Sequence, residues 1–320
     1  MTRGLAAESR VEPQPAVILI VNWNGRRHLE RCLAALFAQP LLGARVVVVD
    51  NGSTDGSAEW LALHYTEIEV IRLPHNHGFA AANNIGIAAT RARYIITLNN
   101  DTEVGRGWLS ALVEAAELDA SIGSCASRIV LASRPDVIDS AGIEVDRLGF
   151  AWQRGHSRLD GEAYRMPRDV FGPSAAAALY RREMLEVIGV FDEDFGSYYE
   201  DVDLAWRARL AGWRCRYVPD AVVTHVHSAT GGRDPDQKHR LLTRNRWWTV
   251  IKNYPSPRLW FMLPFITVLD AASLLRGLAV HRNAVPVSAR IEALRGLRRM
   301  WAKRRRIQRL RHDASRLSAR

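Results

Sequence analysis

Asp101 follows a short apolar run, Ile95, Ile96 and Leu98, and is preceded by Asn99 and Asn100. Such a run reads as a buried central strand, and in open α/β sheets ligands collect at the carboxyl ends of the strands. An ionised carboxylate at that rim, beside two neutral amides, can face a cation. A turn that uses Asn and Asp for their tolerance of turn geometry reads equally well from this stretch alone. Asp50 is placed alike: it ends the run at residues 46–49 and precedes a loop, Asn51 to Ser57, whose later residues suit helix initiation. Further on, Asp192, Glu193, Asp194, Glu200, Asp201 and Asp203 put six carboxylates within 12 residues, interleaved with Phe191, Phe195, Tyr198 and Tyr199. A solvated acidic face needs no such aromatics. A helix N-terminus that gathers acids to suit its dipole accounts for Asp201 or Asp203, but hardly for both together with Glu200.

These residues need elements that deliver them. Residues 16–21 are an apolar run that stops at Asn22, Trp23, Asn24 and Gly25. Leu29, Cys32, Leu33, Leu36 and Phe37 then share one helical face, with Pro40 just beyond its end. Strand, loop and helix repeat from residue 46. A third strand at 69–73 leads through Asn76, His77 and Gly78 into a helix with Asn83 and Asn84 in its first turns. Asparagine is a weak helix former, so the pair is expected to face something polar; a buried structural hydrogen bond explains one of them equally well. Residues 94–98 are the fourth strand and 108–118 the next helix. Four strands alternating with helices in about 100 residues predict a Rossmann-like, mostly parallel central sheet flanked by helices. Neither GxGxxG after the first strand nor GxxxxGK[ST] occurs, which removes the usual support for dinucleotide or P-loop binding. Beyond residue 125, stretches 143–145 and 150–153 read as a hairpin, and a mixed sheet is expected.

At 320 residues and 48% hydrophobic content the chain can bury a full core. Its net charge of +10 is unevenly placed: from Arg276 onward 14 Lys or Arg stand against 2 acidic residues, which leaves −2 for the first 275 residues. The basic character therefore describes a tail. Cys32, Cys125 and Cys215 lack CxxC spacing, so no disulfide framework or zinc site is expected, and the thiols suit a reducing cytoplasm. Residues 1–15 read as a disordered lead-in without a signal peptide.

Six segments taken in order resemble glycosyltransferase family 2, the inverting nucleotide-sugar transferases of GT-A fold, and most closely its rhamnosyltransferase-like members. They are IVNWNG (20–25), VVVVDNGSTDGS (46–57), NHGFAAANNIGI (76–87), LNNDTEV (98–104), FDEDFGSYYEDVDLAWR (191–207) and VVTHVHSAT (222–230). The resemblance spans residues 16–250, with a nucleotide-sugar-binding half at 16–125 and an acceptor and catalytic half at 126–250. It implies that Asp50 contacts the nucleobase or ribose, with Asn22 and Asn24 close by and Asn76, Gly78 and Asn83 on the same donor side. Asn99, Asn100 and Asp101 stand where the family has its DXD element. Asp101 matches the carboxylate that binds a divalent metal, Mn2+ or Mg2+, across the donor diphosphate, and the asparagines leave less negative charge to hold it. Asp201, the second residue of Glu200-Asp201, matches the general base. His225 matches a histidine that completes the metal site, with His227 as the alternative. Ala175 takes a position where many relatives carry Gly.

The implied function is metal-dependent, inverting transfer of a sugar, rhamnose or another hexose. The donor would be dTDP- or UDP-linked, and the acceptor polyprenyl-linked or a cell-surface glycan. The alternative is a catalytically inactive nucleotide-sugar-binding scaffold in a glycan-assembly complex. A nucleic-acid partner is not expected, given the near-neutral body and the few aromatics among the arginines.

Residues 251–320 read as a membrane-associating, Arg-rich tail of amphipathic basic helices. Residues 259–280 are apolar enough to span a bilayer but contain Pro264, Asp270 and Arg276. Thr267, Asp270, Ser273, Gly277 and His281 trace one polar stripe, which favours lying in the interface over crossing it. Residues 290–311 then form a cationic helix with Ile291, Leu294, Leu297, Met300, Trp301, Ile307 and Leu310 on its apolar side. An anionic inner leaflet would attract it, and a solvated or oligomerising helix is the plain alternative. The expected location is the inner face of the cell membrane, peripherally bound from the cytoplasm.

Overall fold

Uninterrupted runs rich in Val and Ile suit strands covered on both faces, and the first hundred residues use four of them. In a computed structural model describing residues 15–226, 234–281 and 284–317, Ala16–Asn22 (β1), Arg45–Asp50 (β2), Glu69–Arg72 (β3) and Tyr94–Asn99 (β4) pair in parallel. Arg26–Phe37 (α1), Ser57–His64 (α2) and Phe79–Ala88 (α3) connect them. Ile18, Ile20, Val48 and Ile96 pack into one layer, and Val17, Leu19, Val47 and Ile95 into the other. Gly86 lets α3 lie close on the sheet, since a Cβ there would come within 3.2 Å of Leu19 and Val49.

The chain continues through Thr102–Val104 (β5), Trp108–Glu117 (α4), Ile122–Leu131 (β6) and Arg134–Ser140 (β7). A separate hairpin, Ile143–Val145 (β8) with Ala151–Gln153 (β9), lies where the turn signal placed it. Then come Arg168–Val170 (β10), Ala177–Arg181 (β11), Arg182–Ile188 (α5), Glu200–Leu210 (α6) and Arg214–His225 (β12). The main sheet has ten strands in the order β10-β12-β6-β11-β4-β1-β2-β3, with β5 added on β12 and β7 on β6. β11 runs antiparallel between β4 and β6, so β1, β2, β3, β4, β6 and β12 share one direction and β5, β7, β10 and β11 oppose it. This is the expected helix-flanked, mostly parallel sheet with a mixed second half. Its consequence is that the carboxyl ends of β1, β2, β4 and β12 meet at one edge, beside the start of β11. One long strand, β12, leads to His225 and is irregular between Val218 and Val222.

Pro235–Asn253 (α7), Arg258–His281 (α8) and Val285–Leu317 (α9) follow. The face that α9 buries holds small residues, Ala289, Ala293 and Gly296, with Met300 and Ile307. A Cβ at Gly296 would stand 2.3 Å from the Trp248 ring, so the crossing with α7 requires glycine. Ile291, Leu294 and Trp301, expected on the apolar side, lie away from that buried face and are exposed. The α8 stripe also differs from expectation. Asp270 and Gly277 turn towards the body while Thr267 and Ser273 stay exposed. Asp270 accepts from Arg246 at 2.9 Å and from Arg290 at 2.7 Å, and Gly277 makes room for Pro286.

Candidate active site

The ends of β1, β2 and β4 are tied to each other by buried amides and a carboxylate. Asn22 accepts from Asn100 Nδ2 at 2.7 Å and donates to Ser53 Oγ at 3.2 Å and Asp50 Oδ1 at 3.4 Å. Asn22, Asp50 and Asn100 are all buried, so this network forms the floor of the edge. Asn24 adopts a left-handed conformation, φ 50, and accepts from the Thr54 amide at 2.8 Å, which folds the β1 turn against the β2 loop. Asn99 is half-buried, and its carbonyl accepts from Thr102 Oγ1 at 2.6 Å. Sequence reasoning missed Asn51. It is buried, donates to Asn76 Oδ1 at 3.0 Å and accepts from the His77 amide at 2.9 Å, and so fixes the loop before α3. Gly78 opens that helix at φ 84. Of the paired asparagines, Asn83 donates to its own helix at the Phe79 carbonyl, 3.0 Å away. Asn84 ties α3 to the loop after α5: it accepts from the Phe191 amide at 3.1 Å and donates to the Phe191 carbonyl at 2.8 Å and to Glu193 at 2.9 Å.

β12 delivers His225 beside Asp101. The imidazole Nε2 lies 3.2 Å from Asp101 Oδ1 and Nδ1 lies 2.7 Å from Asp139 Oδ2. Burial pushes this imidazole down, but hydrogen bonds and charge from Asp101 and Asp139 outweigh it and raise the group to about 9. Asp139, on β7, is a second residue that no motif announced. A carboxylate on one ring nitrogen, leaving the other for a ligand, is how proteins orient a metal-binding histidine. Among the described residues no cluster of three or more His, Cys, Asp or Glu is arranged to hold an ion. Asp101 and His225 could hold a divalent cation in place of the proton between them, its other ligands coming from a bound diphosphate, because the carboxylates of Asp101 and Asp139 favour positive charge there. His227 lies outside the described residues.

Asp201 opens α6 at the same edge. Its Oδ1 accepts from the Val202 amide at 2.8 Å, and its Oδ2 lies 3.5 Å from the amide of Ala175. Ala175 precedes β11, and the neighbouring Ala176 carbonyl accepts from the Asn99 amide at 2.8 Å, so Asp201 stands next to the end of β4. Burial raises the Asp201 carboxyl to about 6 despite those amides. Glu200 is buried, its Oε2 has no hydrogen-bond partner among the described residues, and burial followed by the Asp201 charge raises its carboxyl well above the usual range. The two carboxyls stand side by side at the start of α6, and burial pushes both up. The turn that presents them is unusual: Tyr198 and Tyr199 both have left-handed backbones, φ 66 and 68.

The family model described as "Glycosyl transferase family 2" matches residues 17–189. The chain belongs to glycosyl transferase family 2. It is 30% identical over 299 residues to the N-acetylglucosaminyl-diphospho-decaprenol L-rhamnosyltransferase of Mycobacterium tuberculosis, covering 85% of this chain and 95% of that protein. It is 37% identical over 194 residues to the pre-mycofactocin glycosyltransferase of the same species, but spans only 38% of that relative's length against 58% of its own. Among solved structures, GalNAc-T7 with UDP, GalNAc and Mn2+ matches 78% of the chain and 49% of its own at a TM-score of 0.61 and 17% identity. The mannosyltransferase PcManGT from Pyrobaculum calidifontis, in complex with GDP-Man and Mn2+, matches 95% of the chain and 87% of its own at 0.55 and 18%. These structures share the GT-A fold with this family 2 glycosyltransferase.

Proposed function

We propose that this glycosyltransferase moves rhamnose, or another hexose, from a dTDP- or UDP-linked donor to a polyprenyl-linked or cell-surface glycan acceptor, with inversion. The observation that carries the reading is the meeting of Asn22, Asp50, Asp101, His225 and Asp201 at one edge of the sheet. The 30% identical rhamnosyltransferase supports the choice of sugar and of a lipid-linked acceptor. Asp50 and the Asn22 and Asn24 turn receive the nucleoside, and Asn99 adds a neutral amide beside the diphosphate. Asp101 and His225 would hold a divalent cation, which when bound offsets the charge that builds on the leaving diphosphate. Asp201 takes the proton of the attacking acceptor hydroxyl, and a single base acting from the opposite face gives inversion.

A polyprenyl-linked acceptor would be met at a membrane, and α8 suits that place. Arg258–Val280 is long and apolar enough to cross a bilayer, yet its Asp270 is paired with Arg246 of α7 and Arg290 of α9, which favours a helix lying in the surface. Trp260, Phe261, Phe265, Val268 and Leu269 face outward, and the Trp260 and Trp301 rings meet at 5.7 Å, extending this face onto α9. Exposed Arg258, Arg298 and Arg305 would meet anionic headgroups. Thermal shift with UDP, dTDP, GDP and ADP, with and without Mn2+, on wild type and Asp101→Ala tests the donor site. A metal-dependent shift for one nucleotide, lost in the variant, supports it; transfer assays that show no turnover despite binding would favour the scaffold.

A further inference from the structure

We propose that Asn245, on α7, is a positioning residue for the transfer step, acting through the turn that presents Glu200 and Asp201. The inference rests on reading Asp201 as the base. Asn245 is fully buried, and its side-chain amide donates to three carbonyls of one short loop: Phe195 at 3.1 Å, Ser197 at 2.9 Å and Tyr198 at 2.7 Å. Two N–H groups thus serve three acceptors. Its own oxygen accepts from Arg244 Nε at 2.8 Å, and Arg244 in turn donates to the Phe195 carbonyl at 2.9 Å. The loop held in this way contains Gly196, Tyr198 and Tyr199, all at positive φ. Two successive tyrosines do not adopt that conformation unaided, so surrounding contacts must impose it.

The loop is also where three parts of the edge touch. The Gly196 carbonyl accepts from the Ala80 amide at 3.1 Å, on the donor side. The Tyr199 hydroxyl accepts from the Ala151 amide at 3.1 Å, on the β8–β9 hairpin. The next residue is Glu200. Without Asn245 the left-handed pair relaxes and the start of α6 shifts, carrying Asp201 away from Ala175. The floor formed by Asn22, Asp50 and Asn100 shares no bond with the loop and stays in place.

The experiment is steady-state transfer by the full chain with metal and donor, comparing Asn245→Ala with wild type. A displacement of about 1 Å at a reacting group is expected to lower kcat by roughly 30-fold or more while the donor KM changes less than about threefold. The nucleotide-induced thermal shift persists. Arg304→Met removes hydrogen bonds to the Ile251 and Tyr254 carbonyls at 2.9 and 2.6 Å, away from the loop, and serves as the stability control with kcat retained. Adding Tyr198→Gly to Asn245→Ala relieves one of the two strained positions and restores kcat by about tenfold. If Asn245→Ala yields too little folded protein, Asn245→Ser, which keeps one donor, is read by the same kcat-to-KM split. A kcat within threefold of wild type, equal loss in Arg304→Met, or no recovery with Tyr198→Gly overturns the proposal. Transfer retained by Asp201→Asn but lost in Asn245→Ala would instead remove Asp201 as base and leave the role of the loop standing.

Discussion

Asp201→Asn should abolish transfer and, at neutral pH, make the protein more stable. The native state raises this carboxyl from 3.8 to about 6. At roughly 1.4 kcal/mol per pH unit, holding it ionised costs the fold about 3 kcal/mol. The sign follows from the two titrations. Below pH 4 both native and unfolded carboxyls are protonated and there is no penalty; between 4 and 6 only the unfolded one ionises; above 6 the penalty is complete. An asparagine carries no charge at any of these pH values, but it loses one of the two acceptor positions facing Val202 and Ala175, worth about 1 kcal/mol. The net gain is about 2 kcal/mol above pH 6, or roughly 3 °C in Tm for a chain of this length, shrinking to nothing or reversing near pH 4. Thermal melts of both proteins from pH 4 to 8 measure this. In parallel, wild-type transfer should fall about tenfold from pH 7 to pH 5 as the base becomes protonated. A variant that is less stable at pH 7.5, or whose stability difference is the same at pH 4 and 7.5, refutes the burial argument. Transfer at the wild-type rate by the variant refutes the base.

Asp139→Asn should weaken Mn2+ binding in the presence of UDP or dTDP by about 10- to 100-fold, read by electron paramagnetic resonance, because it loosens His225; unchanged affinity removes Asp139 from the site. Asp270→Ala leaves buried Arg246 and half-buried Arg290 without their counter-charge, which costs about 3–5 kcal/mol, and urea denaturation would show it. Phe261→Glu and Phe265→Glu should each lower co-sedimentation with anionic vesicles by about tenfold or more while leaving Tm unchanged. Retention of binding by both would exclude the outer face of α8.

The strand ends were legible because a Val- and Ile-rich run that stops at a polar residue marks both the strand and the edge at which it stops. Asp50 and Asp101 announce themselves in that way. Their partners do not. Asn22 and Asn100 are 78 positions apart, and nothing local says that they bond. Asp139 sits in a strand with no turn signal and no cluster, so only the pairing of β6 with β7 and β12 brings it to His225. Asn83 and Asn84 have the same propensity and adjacent numbers; the helix face alone separates the structural amide from the one that reaches Glu193. The stripe on α8 was visible, but which way it turned depended on Arg246 and Arg290. Tyrosine has no preference for left-handed backbone, so the turn at Tyr198 and Tyr199 was beyond any local rule.

The loop before Glu200 is clasped by a helix that begins only at Pro235, well after β12 is complete. A chain emerging from the ribosome therefore finishes the nucleotide-facing edge of its sheet before it owns the clasp. During that interval the floor of Asn22, Asp50 and Asn100 can form while the turn that presents Glu200 and Asp201 is still unclasped. With Asp201 as the proposed base, the docking of α7 is the step that would bring it into line, while α8 and α9 are still to be made behind it.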